Sequence, residues 1–316
     1  MKSPKTVNLP VLFSHHYANL KGVRLHYVTC GRGPAVVLLH GWPQTWFEWR
    51  IVMPLLANDF TLVAPDLRGL GDSSRPKSGY DKKTVAGDIW QLMNGHLGHE
   101  RFAVVGHDWG SAVAFRVAAD HPAAVTHLAL LDVPVIGSRP PADGGGLVYD
   151  RWHHHFHQVP DLPEALVVGR ERTYLEFFFK NGCDVAGVFP DDVIDEYVRA
   201  YAQPGAMRAG FNFYRATRQD WADNRALFDT GFRLTMPTLG LGGGGERGRG
   251  NAVVASLRQV ADQVDGGSVP DCGHFIPEEK PAELAQLLRD FLINSRSKAR
   301  PVKGTGGKVR RANRSA

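Results

Sequence analysis

Gly106-His107-Asp108-Trp109-Gly110 directly follows the apolar run 102–105 and precedes a helical pattern that starts at Ser111. Small-x-nucleophile-x-small at a strand-to-helix turn is the pattern of a nucleophile elbow, here with aspartate where serine is better known. The flanking glycines let a sharply turned chain pass close to its neighbours, and the turn lifts the central side chain above the sheet. Asp108 is therefore the candidate nucleophile. A carboxylate attacking an ester or amide would give an anhydride and gain little, whereas attack on an alkyl carbon gives an ester that water can hydrolyse. This chemistry favours epoxides or alkyl halides.

Outward from this turn, short apolar runs alternate with helical patterns. Strands are expected at 35–39, 61–64, 103–105 and 128–131, and helices at 84–97 and 111–120, the second ended by His121-Pro122. The alternation predicts an α/β fold with a mostly parallel sheet flanked by helices. Residues 23–28 alternate as an antiparallel edge strand would. Beyond Pro134 aromatic and histidine density rises, and helical patterns at 162–179 and 191–201 follow with no strands between them. Strand signals return at 237–241, then a helix is expected over 251–264, a short strand at 267–269 and a closing helix at 283–294. The expected division is core 1–133, helical cap 134–230, core 231–294 and a basic, disordered tail 295–316.

The chain has 316 residues, about two units at ~100 to 200 residues per domain, and enough to bury a core. With 43% hydrophobic and 22% charged residues, wholesale disorder is excluded. The net charge of +5 would point to nucleic acid, but eight basic residues and no acid lie in the tail, leaving 29 basic against 32 acidic residues in the body. The body thus gives no argument for a nucleic-acid partner. Cys30, Cys183 and Cys272 are widely spaced and form no C-x-x-C pair, which fits a reducing compartment. Neither a signal-peptide core nor a run of ~18 apolar residues is present, so a cytoplasmic protein with no membrane partner is expected.

Two further turns complete a candidate site. His40-Gly41-Trp42-Pro43 follows the strand at 35–39, where a loop supplies half of an oxyanion hole; the backbone N–H groups of Trp42 and Trp109 are the expected donors. Cys272-Gly273-His274-Phe275-Ile276-Pro277 follows the last strand signal, and His274 is the candidate general base, since a near-neutral pKa suits proton removal from water. That base needs an orienting acid. Asp132 ends the strand at 128–131, and Glu246 in the glycine-rich run after 237–241 is the alternative; Asp132 is preferred because the glycine-rich run would hold an acid poorly.

With these motifs the chain resembles the epoxide hydrolases of the α/β-hydrolase fold and their relatives, the haloalkane and haloacetate dehalogenases, from about Gly22 to Phe291. Asp66-Leu67-Arg68-Gly69-Leu70-Gly71-Asp72-Ser73-Ser74 is similar to the loop after the next strand in that family. The resemblance implies a helical cap inserted after the sixth strand. It also implies that Tyr214, in Asn212-Phe213-Tyr214-Arg215, and His153, in Trp152-His153, are the donors to the epoxide oxygen, the histidine being a variant of a more common second tyrosine. Haloacetate dehalogenases share these two positions, but they resemble one another in an arginine after the nucleophile and another three residues on, a clamp for the substrate carboxylate. Trp109 and Ala112 stand there, and His154 replaces the halide-contacting tryptophan. Haloalkane dehalogenases often have asparagine where Trp42 stands.

The reading implied is an epoxide hydrolase, taking a small-molecule epoxide and water to a vicinal diol through an alkyl-aspartate ester, with no cofactor and no metal. A dehalogenase using the same aspartate and a non-catalytic binding scaffold are the alternatives, and a homodimer stays open. His153 and His157 could meet on one helix face as metal ligands, but no acid or cysteine joins them at suitable spacing. The run 242–250 lacks the ending of a phosphate loop and reads as a flexible connection.

Overall fold

Along the central strands, alternate residues pack on opposite faces of one sheet. In Ala35–Leu39, Val37 and Leu39 join one core while Val36 and Leu38 join the other; in Phe102–His107, Val104 faces the first core and Ala103 and Val105 the second. Burial on both sides is why such segments read as continuous apolar runs. The computed structural model describes residues 13–139 and 152–298, without the side chains of 294–298.

Its strands are β1 Ser14–Leu20, β2 Val23–Gly31, β3 Ala35–Leu39, β4 Thr61–Pro65, β5 Phe102–His107, β6 Val125–Leu131, β7 Thr238–Gly243 and β8 Val264–Val269, in the sheet order β1-β2-β4-β3-β5-β6-β7-β8. β2 pairs antiparallel with β1 and β4, and all other neighbours are parallel. The helices are α1 Val52–Leu56, α2 Lys82–Trp90, α3 Trp109–Asp120, α4 Trp152–Gln158, α5 Leu162–Val167, α6 Glu171–Gly182, α7 Asp191–Tyr201, α8 Ala206–Arg215, α9 Thr217–Phe228, α10 Ala252–Arg258, α11 Ile276–Glu279 and α12 Pro281–Lys298. Helices α4 to α9 form an insertion between the sixth and seventh strands. No described helix is long and apolar enough to cross a membrane.

Several expectations need correction. β2 is not the edge, because β1 pairs along its outer side; β1 is mostly exposed on both faces and so carries no hydrophobic alternation. The helix expected over 162–179 is broken between α5 and α6 at Gly169, whose φ is +84°. Helix α10 ends at Arg258, and Val264 instead opens β8, whose Asp-Gly-Gly-Ser interior hides it as a strand. α2 starts at Lys82, capped by the Asp81 side chain on the Thr84 N–H, and loosens into a π-turn over Gln91–His96. Four tail residues, 295–298, belong to α12 rather than to a disordered segment; the rest of the tail lies outside the described residues, as do residues 1–12 and 140–151.

Candidate active site

Asp108 sits between β5 and α3 with φ +50° and ψ −123°, a conformation that costs a non-glycine residue about 1–3 kcal/mol. The surrounding chain leaves no room for side chains on either side: a Cβ on Gly106 would fall 2.2 Å from the Gly110 carbonyl oxygen, and one on Gly110 would fall 2.1 Å from that of Leu39. The carboxylate enters the space under the insertion, where the Trp42 backbone N–H donates to Oδ1 at 2.9 Å. The backbone N–H of Trp109 adds a further hydrogen bond. Both expected oxyanion donors therefore converge on Asp108.

The turn carrying Trp42 is fixed from below. His40 is fully buried; its Nδ1 donates to the Gly41 carbonyl at 2.9 Å and its Nε2 accepts the Leu67 N–H at 3.0 Å. Asp66, opening the loop singled out in the sequence, accepts the Trp46 N–H at 2.8 Å and the Asp72 N–H at 2.9 Å. The Trp42-Pro43 peptide is cis.

Asp132 follows β6 and is fully buried. Its Oδ1 accepts the N–H groups of Gly243 at 2.8 Å and Arg249 at 2.7 Å, and its Oδ2 accepts His274 Nδ1 at 2.7 Å. Glu246, the alternative acid, is exposed. The glycine-rich run is not a loose connection: Gly244 and Gly245 donate to Val269 and Cys272, and Gly250 folds back onto Gly243, so the run cradles Asp132.

His274 Nε2 lies 3.5 Å from Asp108 Oδ2, an ion-pair distance that is long for a hydrogen bond. Burial alone would lower the imidazole pKa, but the Asp108 and Asp132 carboxylates outweigh it and push it up to about 9. Burial would likewise raise Asp108, yet His274 holds it well below the usual carboxylate range. The resting pair is thus Asp108 carboxylate and protonated His274.

Sequence reasoning missed the layer beneath this pair. His107 Nε2 donates to the His274 carbonyl at 2.8 Å, and its Nδ1 is 3.2 Å from Glu48 Oε2. Burial, with the His274 charge beside it, lowers the His107 pKa to about 4, so the ring is neutral and Nδ1 is an acceptor. Burial, with the charges of Glu278 and Asp108, raises Glu48 well above the usual range, so its protonated carboxyl supplies the donor. The loop of His274 is also strapped to the insertion. The His274 N–H donates to the Gly182 carbonyl at 2.8 Å, and Glu279 accepts N–H groups from Asp184, Val185, Gly273 and Phe275 at 2.8–3.0 Å. No local signal marks Glu48 or Glu279, whereas His107 occupies the variable position of the elbow motif itself.

Asp108, His274, Trp109, His153 and Tyr214 line one cavity of about 380 Å³, together with apolar residues such as Phe178 and Val135. Tyr214 is buried, and burial together with the Asp108 charge raises its phenol well above its ordinary pKa, so it remains a proton donor. Its ring stands edge-on to Trp109 at 4.9 Å and to His153 at 5.8 Å. His157 belongs to the packing instead: its Nε2 is 2.6 Å from the Tyr174 hydroxyl, and its ring stacks on Phe211. Among the described residues, His26, Asp66 and Asp72 bring metal-ligand atoms together, but His26 Nδ1 is already bonded to Asp66 at 2.7 Å.

A family model described as the alpha/beta hydrolase fold matches residues 34–281. The chain belongs to the α/β-hydrolase fold family. Within this family it is 41% identical over 284 residues to the soluble epoxide hydrolase of Corynebacterium sp. (strain C12), covering 88% of this chain and 96% of the relative. It is 33% identical over 297 residues to a fluoroacetate dehalogenase of Burkholderia sp., covering 90% and 95%. The crystal structure of Cfl2 from Burkholderia cenocepacia superposes with a TM-score of 0.82 at 43% identity, covering 88% of this chain and 95% of that one. The turn of Asp108, the loop of His274 and the helical insertion described above thus sit on this family's scaffold.

Proposed function

We propose that this α/β-hydrolase is a cytoplasmic epoxide hydrolase whose helical cap, 134–230, closes over Asp108. The observation that carries the reading is one cavity lined together by the Asp108 carboxylate, His274, Tyr214 and His153. The likeness to a soluble epoxide hydrolase supports it. Asp108 attacks the less hindered epoxide carbon, the C–O bond breaks, and Tyr214 and His153 stabilise and protonate the departing oxygen.

The protons then balance. Once Asp108 becomes a neutral ester, one of the two charges that raised His274 is gone; its pKa falls, and the proton it releases replaces the one given to the alkoxide. Neutral His274, oriented by Asp132, takes a proton from water, and the oxygen attacks the ester carbonyl. The N–H groups of Trp42 and Trp109 hold the tetrahedral oxyanion. Collapse gives a diol and restores the Asp108 carboxylate beside protonated His274.

The same aspartate could displace halide, as the dehalogenase relative suggests. Against haloacetate stand Trp109 and Ala112, where the resemblance calls for two carboxylate-binding arginines. The test is a single turnover of an epoxide in ¹⁸O water with enzyme in excess. The oxygen added to the diol should be unlabelled, because it comes from Asp108; fully labelled diol would sink the covalent route. Bromide release from bromoalkanes without diol formation from any epoxide would assign the dehalogenase reading instead.

A further inference from the structure

Lys82 opens α2 in a lysine doublet, Lys82-Lys83, that reads as a solvated helix start, yet its side chain is only 1% exposed. Three residues surround its ammonium. Nζ donates to the Phe213 carbonyl at 2.6 Å, lies 2.7 Å from Asp220 Oδ2 and sits 4.2 Å from the centre of the Trp109 ring. Asp220 Oδ1 in turn accepts the Lys82 backbone N–H at 2.7 Å. One residue of the core thus holds two helices of the insertion, α8 through Phe213 and α9 through Asp220.

Burying an ion pair carries a large desolvation cost, and apolar residues of similar volume would join the helices as well or better. Adhesion alone does not account for the pair. Two of its contacts lead to the site. Phe213 immediately precedes Tyr214, and its carbonyl lies in the last turn of α8, where helix carbonyls lack intrahelical partners. Trp109 follows Asp108 and packs edge-on against the Tyr214 ring.

We propose that Lys82, held by Asp220, is a positioning residue for ring opening: it sets the α8 turn that carries Tyr214 against the indole of Trp109, and so aims the phenol into the cavity that holds Asp108. The inference rests on the epoxide reading above. Lys82 touches no reacting atom, and its action is geometric, through Tyr214.

The combined variant Lys82→Met/Asp220→Leu removes both charges together, so the fold inherits no lone buried ion. Single turnovers of styrene oxide with enzyme in excess, quenched and read by intact-protein mass for ester and by diol yield, separate alkylation from ester hydrolysis. Alkylation should slow about tenfold to a hundredfold, the scale of a misplaced reacting group. Ester hydrolysis should stay within about twofold of wild type by the same argument, since His274, Asp132 and the Trp42 N–H are untouched and Lys82 meets Trp109 at its ring, away from the backbone N–H. Tyr214→Phe should cost much less in this background than in wild type. Wild-type alkylation in the folded variant, equal losses in both steps, or additive losses with Tyr214→Phe would overturn the proposal. Should the double variant not fold, Lys82→Arg, which keeps the charge but moves the donor, is read the same way. A wild-type enzyme that forms no ester refutes the epoxide reading itself; one that forms it, with variants that match it, refutes only the role of Lys82.

Discussion

Asp132→Asn tests how the base is oriented. The native carboxylate accepts three hydrogen bonds, from Gly243 and Arg249 on Oδ1 and from His274 Nδ1 on Oδ2. An amide has one oxygen to offer these donors. With that oxygen toward His274, two buried N–H groups face an NH2, each at a cost of about 1–3 kcal/mol. With the oxygen toward Gly243 and Arg249, the NH2 meets Nδ1 and drives the His274 proton to Nε2, the nitrogen that takes a proton from water in the proposed mechanism. The difference of about 2–6 kcal/mol favours the second arrangement, so the base is held in the wrong tautomer. In the serine-histidine-aspartate triad the equivalent change costs about 10⁴ in kcat, and ester hydrolysis here should fall by about 10³ to 10⁴. Alkylation should fall less, so the ester accumulates. Intact-protein mass during turnover of saturating epoxide should show an adduct of the epoxide's mass on most of the protein. Turnover within tenfold of wild type, or no adduct, would refute the orientation argument.

Other outcomes follow from the same geometry. The His274 pKa of about 9 lies above its ordinary 6.5, so its proton stabilises the fold fully below pH 6.5 and this contribution is lost as pH rises through 9, while that of Asp108 is lost only in strong acid. The unfolding temperature should hold from about pH 5 to 6.5 and fall toward pH 9.5; a slope no steeper than that of His274→Gln would contradict the ion pair. In Gly41→Ala the new Cβ would lie 2.3 Å from both Cβ and Oδ1 of Asp108. Alkylation should drop at least about a hundredfold in a folded protein, and a wild-type rate in a stopped-flow trace would show the carboxylate is placed elsewhere. Glu48→Gln keeps a donor toward His107 Nδ1 and should change unfolding free energy by less than about 1 kcal/mol, whereas Glu48→Ala should cost more. A larger loss for glutamine than for alanine in urea titrations would mean that Glu48 is ionised.

That Asp108, His274 and Asp132 come together could be read from the sequence because each stands where a strand gives way to a turn, and strand ends are marked by apolar runs followed by glycine or a lone polar residue. The insertion was readable only as helical. Asp191–Tyr201 has a strong apolar stripe and matches its expected bounds; α8 carries as marked a stripe, through Met207, Phe211 and Tyr214, that the sequence reading passed over, while α4 and α9 are set by what they cover. Partnerships across long separations were invisible. Glu48 meets His107 59 residues on, and Lys82 meets Asp220 138 residues on; neither carries a mark in its own neighbourhood. The glycine run misled in a different way, since low side-chain content suggested slack where the backbone itself supplies the donors to Asp132.

The Glu279 strap has a consequence for engineering. Because one carboxylate gathers the segment after α6 and both flanks of His274, the insertion and the His274 loop form a single mechanical part at that edge. Exchanging the insertion for one from a relative would alter the seat of His274 along with the shape of the pocket, unless the 182–185 segment and Glu279 travel as a set. Swaps that begin after Val185 leave that joint whole.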